Sequence, residues 1–306
     1  MKDFLIKPEE NLLDPKLDPI FKAIFTSNNP ESKGALKNFL TVFIGKKIKE
    51  VSIISNESAI KQQNEKQIRY DFSCKFNDGK FATVEMALKH RADELVRSEW
   101  HLATLFTSQD SKGNKDYNDL QEAYQITLLA SGKRFKDKSF VHNFKYYDKD
   151  NKISLNGKTK IITLEMSKIN EEILPELDSL GFWGFFLKYA NDKSKIETLN
   201  DIIKQEEGIA MAAEALSKIS DDERMRILAF KSRMKTKDYL SDLEMSRIEG
   251  LEKGREEGRE EGMERGIKKG REEGKIEVAK NLLLHGLDIK SISKITGLSE
   301  KQIKSF

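Results

Sequence analysis

Three consecutive residues, Asn77, Asp78 and Gly79, restrict the folding of their surroundings more than any other feature of this chain. They separate two runs with strand character, 70–76 and 80–86. A three-residue hairpin loop is a type I turn closed by a left-handed residue, a conformation that glycine adopts without steric penalty. That loop sets Phe76 against Lys80, Cys74 against Ala82 and Phe72 against Val84. Ser73 and Thr83 then pair on the other face, and Asp71 lands directly opposite Glu85 on that same face. A two-residue loop at Asp78 and Gly79 would send the two acids to opposite faces, because a one-residue slip reverses every side chain. The small apolar face made by Phe72, Cys74, Ala82 and Val84 favours the longer loop.

Directly opposed residues have Cβ atoms about 4.5–5.5 Å apart. Two carboxylates at that separation repel, or one takes up a proton. A divalent cation between them removes the conflict. Oxygen-only ligation suits Mg²⁺ or Mn²⁺, ions that support phosphodiester hydrolysis. The plainer reading leaves both acids on an exposed face, meeting only solvent. Exposed acids are common, and spacing alone favours that reading.

Other chemistries find little support. Cys74 is the single cysteine, so the chain has no internal disulfide and no multi-cysteine zinc site, which fits a reducing cytoplasm. The four histidines are scattered, and no Walker A loop, GxSxG elbow or HExxH helix occurs. No signal-peptide pattern or membrane-length apolar run is present. The charged fraction is 34%, yet the net charge is only +3, which excludes a strongly polybasic protein but not a local basic groove. These features indicate a cytoplasmic chain with no membrane partner.

The order of elements reads as an α/β core followed by helices. Asp18 stands at a helix N-cap position with Pro19 first in the helix, and Ile20, Phe21, Ile24 and Phe25 share a face. A second helix covers 32–43. Strands follow at 51–55 and in the hairpin, then a helix at 91–108 in which Trp100 packs the core. Further strands are expected at 122–131, 139–148 and 158–167. The spans are a core at 1–190, a helical extension at 191–247, a charged glycine-repeat helix at 248–275 and a small helix-turn-helix-like module at 276–306.

In the repeat, seven glycines from Gly250 to Gly274 recur every fourth residue. Residues 248–275 hold eight basic and nine acidic residues, so this is no basic arm. Glu249–Lys253, Glu261–Arg265 and Glu264–Lys268 have the favourable i,i+4 order, worth a few tenths of a kcal/mol per pair. The glycines oppose the helix by about 0.8–1.0 kcal/mol each. A frayed, solvated helix and a glycine seam against a second copy stand level. In the module, Ser299 and Gln302 match a capping box. The chain ends about two turns into the reading helix, which favours a packing or dimer module over a DNA reader.

Taken together, "LDPIFKAIF", "YDFSCKFNDGKFATVEM", the run Gln109, Gly113, Tyr117, Leu120, then "ITLEMSKIN", "SRMKTKDYLSDLEMSRIEG" and the glycine tail resemble the recombination-promoting nuclease/transposase (Rpn) family of the PD-(D/E)XK nuclease superfamily. The resemblance covers nearly the whole chain. It implies a restriction-endonuclease-like mixed sheet flanked by helices, with a helical C-terminal extension. It also implies a Mg²⁺- or Mn²⁺-dependent DNA endonuclease linked to recombination, mobile elements or defence. Asp71 matches the metal-binding Asp and Glu85 the acid of the ExK-type motif. The Met86 carbonyl is the third expected ligand.

The third motif position, usually Gln in this family, is Ala87. Alanine cannot orient a water, which points to an inactivating change at an otherwise intact site. A naturally weakened member, a deliberate substitution and a migrated residue all stay open, with Lys89 on the same face and Arg69 opposite Ala87 as substitutes. Asp18 and Glu57 are further acid candidates, although the Asp-Pro context explains Asp18 as a helix cap. Lys22 and Arg97 suit phosphate contacts or the covering of apolar surface. The alternative function is a non-catalytic DNA-binding protein that oligomerises through its glycine-repeat helix.

Overall fold

The computed structural model describes residues 4–54, 71–89, 91–110, 116–155 and 157–306. Helices α1 (Asp18–Thr26) and α2 (Pro30–Ile44) precede strands β1 (Val51–Ile54), β2 (Phe72–Phe76) and β3 (Phe81–Ala87). Helix α3 (Glu94–Thr107) leads to β4 (Ala123–Leu129), β5 (Val141–Phe144), the short β6 (Tyr147–Asp148) and β7 (Ile153–Ser154), and β8 (Thr159–Glu165). Six helices follow among the described residues: α4 (Ser179–Tyr189), α5 (Ile196–Gln205), α6 (Glu207–Asp221), α7 (Glu223–Leu284), α8 (Ile289–Thr296) and α9 (Glu300–Ile303). The chain divides into two compact units, Met1–Met234 and Lys235–Phe306.

The hairpin folds as its loop composition dictates. Gly79 takes φ +84° and donates its N–H to the Phe76 carbonyl at 3.0 Å, while the Phe76 N–H reaches the Lys80 carbonyl at 2.8 Å. Phe72 faces Val84, Ser73 faces Thr83 and Cys74 faces Ala82, the register expected of a three-residue loop. The six-stranded sheet runs β1-β2-β3-β4-β8-β5. Strands β3, β4 and β8 are parallel; β1, β2 and β5 pair antiparallel with their neighbours. This is the mixed sheet flanked by helices that the resemblance implies. The single strand expected over 139–148 is instead two. Strand β5 leaves β8 after Phe144, and β6 pairs with β7 as a separate ribbon.

One face of the sheet carries the main core. Phe72, Cys74 and Val84 meet the apolar faces of α1 and α2, whose buried residues recur with helical spacing. Phe25 lies 5.6 Å from Phe72 and 5.8 Å from Trp183, ring centre to ring centre. The Trp183 Nε1–H is satisfied by Asn38 at 3.0 Å. Leu199 and Ile202 of α5 and Ile209 and Leu216 of α6 join this same core, so residues 196–221 belong to the unit that holds the sheet.

The opposite face is covered by α3 and changes character along the strands. At one end Leu102 and Leu105 pack on Ala123, with Phe81, Phe106 and Ile161 around them. Toward the C-terminal ends of the parallel strands come Thr83 beside Gln125, then Glu85, Thr127 and Thr163 in one row, then Ala87, Leu129 and Glu165 in the next. Trp100 does not pack the core as expected. It points away from this face and is 64% exposed, because Glu94, Ser98, His101, Leu102 and Leu105 occupy the buried stripe of α3.

In the second unit, α7 is continuous through the glycine repeat, and a Cβ added at any of the seven glycines would meet nothing within 4 Å. Of the three expected i,i+4 pairs only Glu261–Arg265 forms, at 3.1 Å. The end of α7 folds with α8 and α9 around Ala279, Ile292, Leu298 and Ile303. Ser299 and Gln302 close the expected capping box.

Replacing Gly79 by Ala forces a side chain into left-handed backbone and is expected to destabilise the protein by about 1–2 kcal/mol. Gly258→Ala, in open helix, is expected to favour the helix by about 0.8–1.0 kcal/mol. Circular dichroism melts check both, and a Gly79→Ala protein as stable as the parent would reject the turn.

Candidate functional site

The end of β3 gathers charged groups from both sides of the sheet. On the α1 side, Leu17 rather than Asp18 is the N-cap residue of α1, and no side chain caps that end. The expected cap role of Asp18 is therefore corrected. With Ile20, Phe21, Ile24 and Phe25 facing the core, Asp18 and Lys22 share the helix flank, one turn apart. Lys22 Nζ lies 2.6 Å from Asp18 Oδ1 and 3.9 Å from Asp71 Oδ1.

Asp71 stands one residue before β2, and its Oδ2 accepts the Met86 N–H at 2.6 Å. Burial pushes the Asp71 carboxyl well above the usual range. Asp18 adds to this through a shared hydrogen bond and like charge, against the Met86 N–H and Lys22. A strand residue sends its N–H and C=O to the same edge, so the Met86 carbonyl also faces the Asp71 side.

Glu85 meets a different environment. Its buried carboxylate takes Arg97 Nη2 at 2.6 Å on Oε1 and His101 Nδ1 at 2.7 Å on Oε2, both from α3. Burial raises its pKa, but the His101 and Arg97 contacts outweigh burial and hold it below the usual range. Glu94, one turn before Arg97, is also buried; burial and the nearby Glu85 charge push it up. Its Oε1 has no hydrogen-bond partner among the described residues. Ser98 Oγ lies 2.9 Å from Thr127 Oγ1, whose other neighbour is Gln125 Nε2 at 3.2 Å.

Position 87 places a methyl group in the strand row that ends at Glu165. That buried carboxylate is held by Lys168 and by the Arg134 and Phe135 N–H groups. Lys89 lies two residues beyond the end of β3 and is half-buried. Glu57 and Arg69 fall outside the described residues.

Residues 15–246 match the family model described as PD-(D/E)XK nuclease family transposase. The chain belongs to this PD-(D/E)XK nuclease family. Residues 272–305 match the C-terminal helix-turn-helix domain of the Rpn/YhgA-like nuclease family, a domain type that suggests DNA binding. The preference for a packing module over a DNA reader is revised accordingly: α9 is short, but the module is of the helix-turn-helix class. Neither a curated protein nor a solved structure matches the chain at a significant level.

PD-(D/E)XK nucleases generally use divalent metals, and the donors here fit a hard cation in kind. Burial and the crowding by Asp18 disfavour charge on the Asp71 carboxyl, the conflict that a cation relieves. The donors are not gathered in advance. Among the described residues, no group of three or more His, Cys, Asp or Glu is arranged to hold a metal. The hairpin register is the expected one as far as Phe72 and Val84, but the expectation that the two carboxylates lie together on one face is corrected: Asp71 turns to α1 on one side of the sheet and Glu85 to α3 on the other.

Sequence reasoning missed Glu94, Ser98 and His101 as neighbours of Glu85, and assigned Arg97 only to phosphates or surface. The available signal was their spacing with Arg97 at i, i+3, i+4 and i+7 along the buried stripe of α3.

A carboxyl whose folded pKa is raised binds more protons when folded than unfolded. Its contribution therefore makes stability fall as pH rises from the usual Asp range to the raised value. Asp71→Asn is accordingly expected to raise the metal-free Tm near neutral pH and to flatten this fall. Thermal melts from pH 4 to 8 in EDTA check it, and a lower Tm for Asp71→Asn throughout would oppose it.

Proposed function

We propose that this chain is a Mg²⁺- or Mn²⁺-dependent DNA endonuclease that hydrolyses phosphodiester bonds and serves recombination, mobile elements or defence. The observation that carries this reading is the junction at Met86. Its amide holds Asp71, Asp18 crowds the same carboxyl, and Glu85 is the adjacent residue. Asp71, Glu85 and the Met86 carbonyl are the residues that would hold the ion. When bound, a divalent cation supplies charge neutralisation and a more acidic water.

The chain's own groups have separate tasks. Lys22 and Arg97, both partly exposed, present cations on either side of the acids and suit the phosphates flanking a scissile bond. Glu85 would be free to hold an ion only with Arg97 or His101 released from its carboxylate. Ala87 offers no atom to orient the attacking water, so turnover is weak. The core does the cutting, and the module at 276–306 adds DNA affinity. Helix 248–275 pairs with a second copy along its open glycines.

One observation favours a second reading. Glu85 Oε1 already accepts Arg97, Oε2 lies 2.7 Å from His101 Nδ1, and position 87 is a methyl group, as expected of a DNA-binding, self-associating protein that keeps the fold without the chemistry.

Titration calorimetry with Mn²⁺ is expected to detect binding to the wild-type chain and none to Asp71→Ala or Glu85→Ala. Ala87→Gln is expected to raise plasmid nicking at least tenfold. Unchanged Mn²⁺ affinity in both acid variants would defeat the site. An inert Ala87→Gln protein that still binds metal would favour the second reading. For the tail, light scattering is expected to give a multiple of the chain mass that falls to one chain when 248–306 is removed. A single-chain mass for both proteins defeats the pairing.

A further inference from the structure

Residues 132–158, from the turn after β4 through the β6–β7 ribbon, hold eight basic residues against three acidic ones, a net +5. The whole chain carries +3, so all the other residues together carry −2. Six of these basic residues, Lys133, Lys136, Lys138, Lys145, Lys149 and Lys152, are exposed. None of the six makes an ion pair or a side-chain hydrogen bond among the described residues.

The local acids do not neutralise them. Asp137 is taken by His142 at 3.1 Å and by Lys168 at 3.6 Å. Asp148 is taken by the Asn151 side chain at 2.7 Å and the Asp150 N–H at 3.0 Å.

Aromatic groups stand among these lysines. Tyr146 is 59% exposed and Tyr147 58%, with Ile153 and Leu155 exposed beside them. An exposed apolar cluster of this kind marks a contact surface. The ribbon β6–β7 is a two-stranded sheet of its own, separate from the main sheet, and a two-stranded ribbon is an element that a DNA major groove admits. The segment is rooted at the candidate site. Strand β4 ends at Leu129, opposite Ala87, and Ser131 Oγ donates to the Leu88 carbonyl at 2.8 Å.

We propose that residues 132–158 form a duplex-DNA arm, in which Lys145, Lys149 and Lys152 neutralise phosphates while Tyr146 and Tyr147 lie in a groove. This deepens the nuclease reading and rests on DNA being the substrate. Unpaired cations interleaved with aromatic rings match a polyanion with stacked bases. A second copy on the same surface would bring +5 against +5, a repulsion that an apolar patch this small does not overcome.

The test is fluorescence anisotropy of a labelled duplex with the full chain in EDTA, titrated over a range of salt. The triple variant Lys145→Ala/Lys149→Ala/Lys152→Ala is expected to bind at least tenfold more weakly at low salt. Its slope of log K against log salt should be shallower by about 2–3, at roughly 0.9 per phosphate released. Tyr146→Ser/Tyr147→Ser is expected to weaken binding at every salt concentration with little change of slope. All of these side chains are exposed, so melts should match the parent.

Unchanged affinity and slope in both variants overturns the arm and leaves the nuclease reading intact. Absence of cleavage by both the parent and Ala87→Gln in Mn²⁺, with the slope change still present, defeats the nuclease reading and keeps the arm. A wild-type chain that binds no duplex defeats both. If sedimentation shows the tyrosine variant losing a partner copy while DNA binding is untouched, the surface is a dimer contact and the proposal fails.

Discussion

The left-handed backbone at Gly79 is the constraint on which the rest depends. It closes an odd-length loop, and the loop fixes which residue of β2 faces which residue of β3. A slip by one residue would put the strands out of step and turn either Phe72 and Cys74 or Val84 out of the aromatic core, bringing Ser73 or Thr83 in. Burying those hydroxyls without partners costs about 1–3 kcal/mol each in proteins. The same register carries Asp71 to the Met86 amide. One glycine thus sets both the core face and the approach of Asp71 to the Met86 amide.

Beyond that point the two acids diverge because the sheet has two unlike coverings. Asp71 turns to α1, where Asp18 and burial favour its proton. Glu85 turns to α3, where Arg97 and His101 favour its charge. Neighbouring titratable groups pushed apart in this way are the usual mark of a site with divided roles. The face beneath α3 grades from apolar to polar along the strands, so α3 must change with it. Leu102 and Leu105 serve the first end; Ser98, Arg97 and His101 serve the second.

Helix α7 shows the opposite balance. Its glycine segment buries nothing, and its ion pairs are few: Glu261–Arg265 at 3.1 Å, with Lys253–Glu257 at 3.9 Å and Lys269–Glu273 at 3.7 Å longer still. Surface pairs of this type add little. The small core around Ala279, Ile292, Leu298 and Ile303 therefore holds its fold through α8 and α9 and not through the repeat. Caps at Asp288 and Ser299 fix where those helices start.

Much of this was legible from residues alone. The hairpin register, the helical spacing of α1 and α2, the late helices and the capping box at Ser299 all follow from interactions between residues close in the chain. By itself the sequence determined that Phe72 faces Val84 and Ser73 faces Thr83, because a turn is a local object with few allowed conformations. Only the tertiary structure decided what Asp71 and Glu85 touch. Asp18 leaves the cap position to crowd Asp71, Trp100 faces outward, and Arg97 and His101 close on Glu85. Each of these depends on which helix covers which face of the sheet, a choice made by the burial of the whole core rather than by any short stretch of chain.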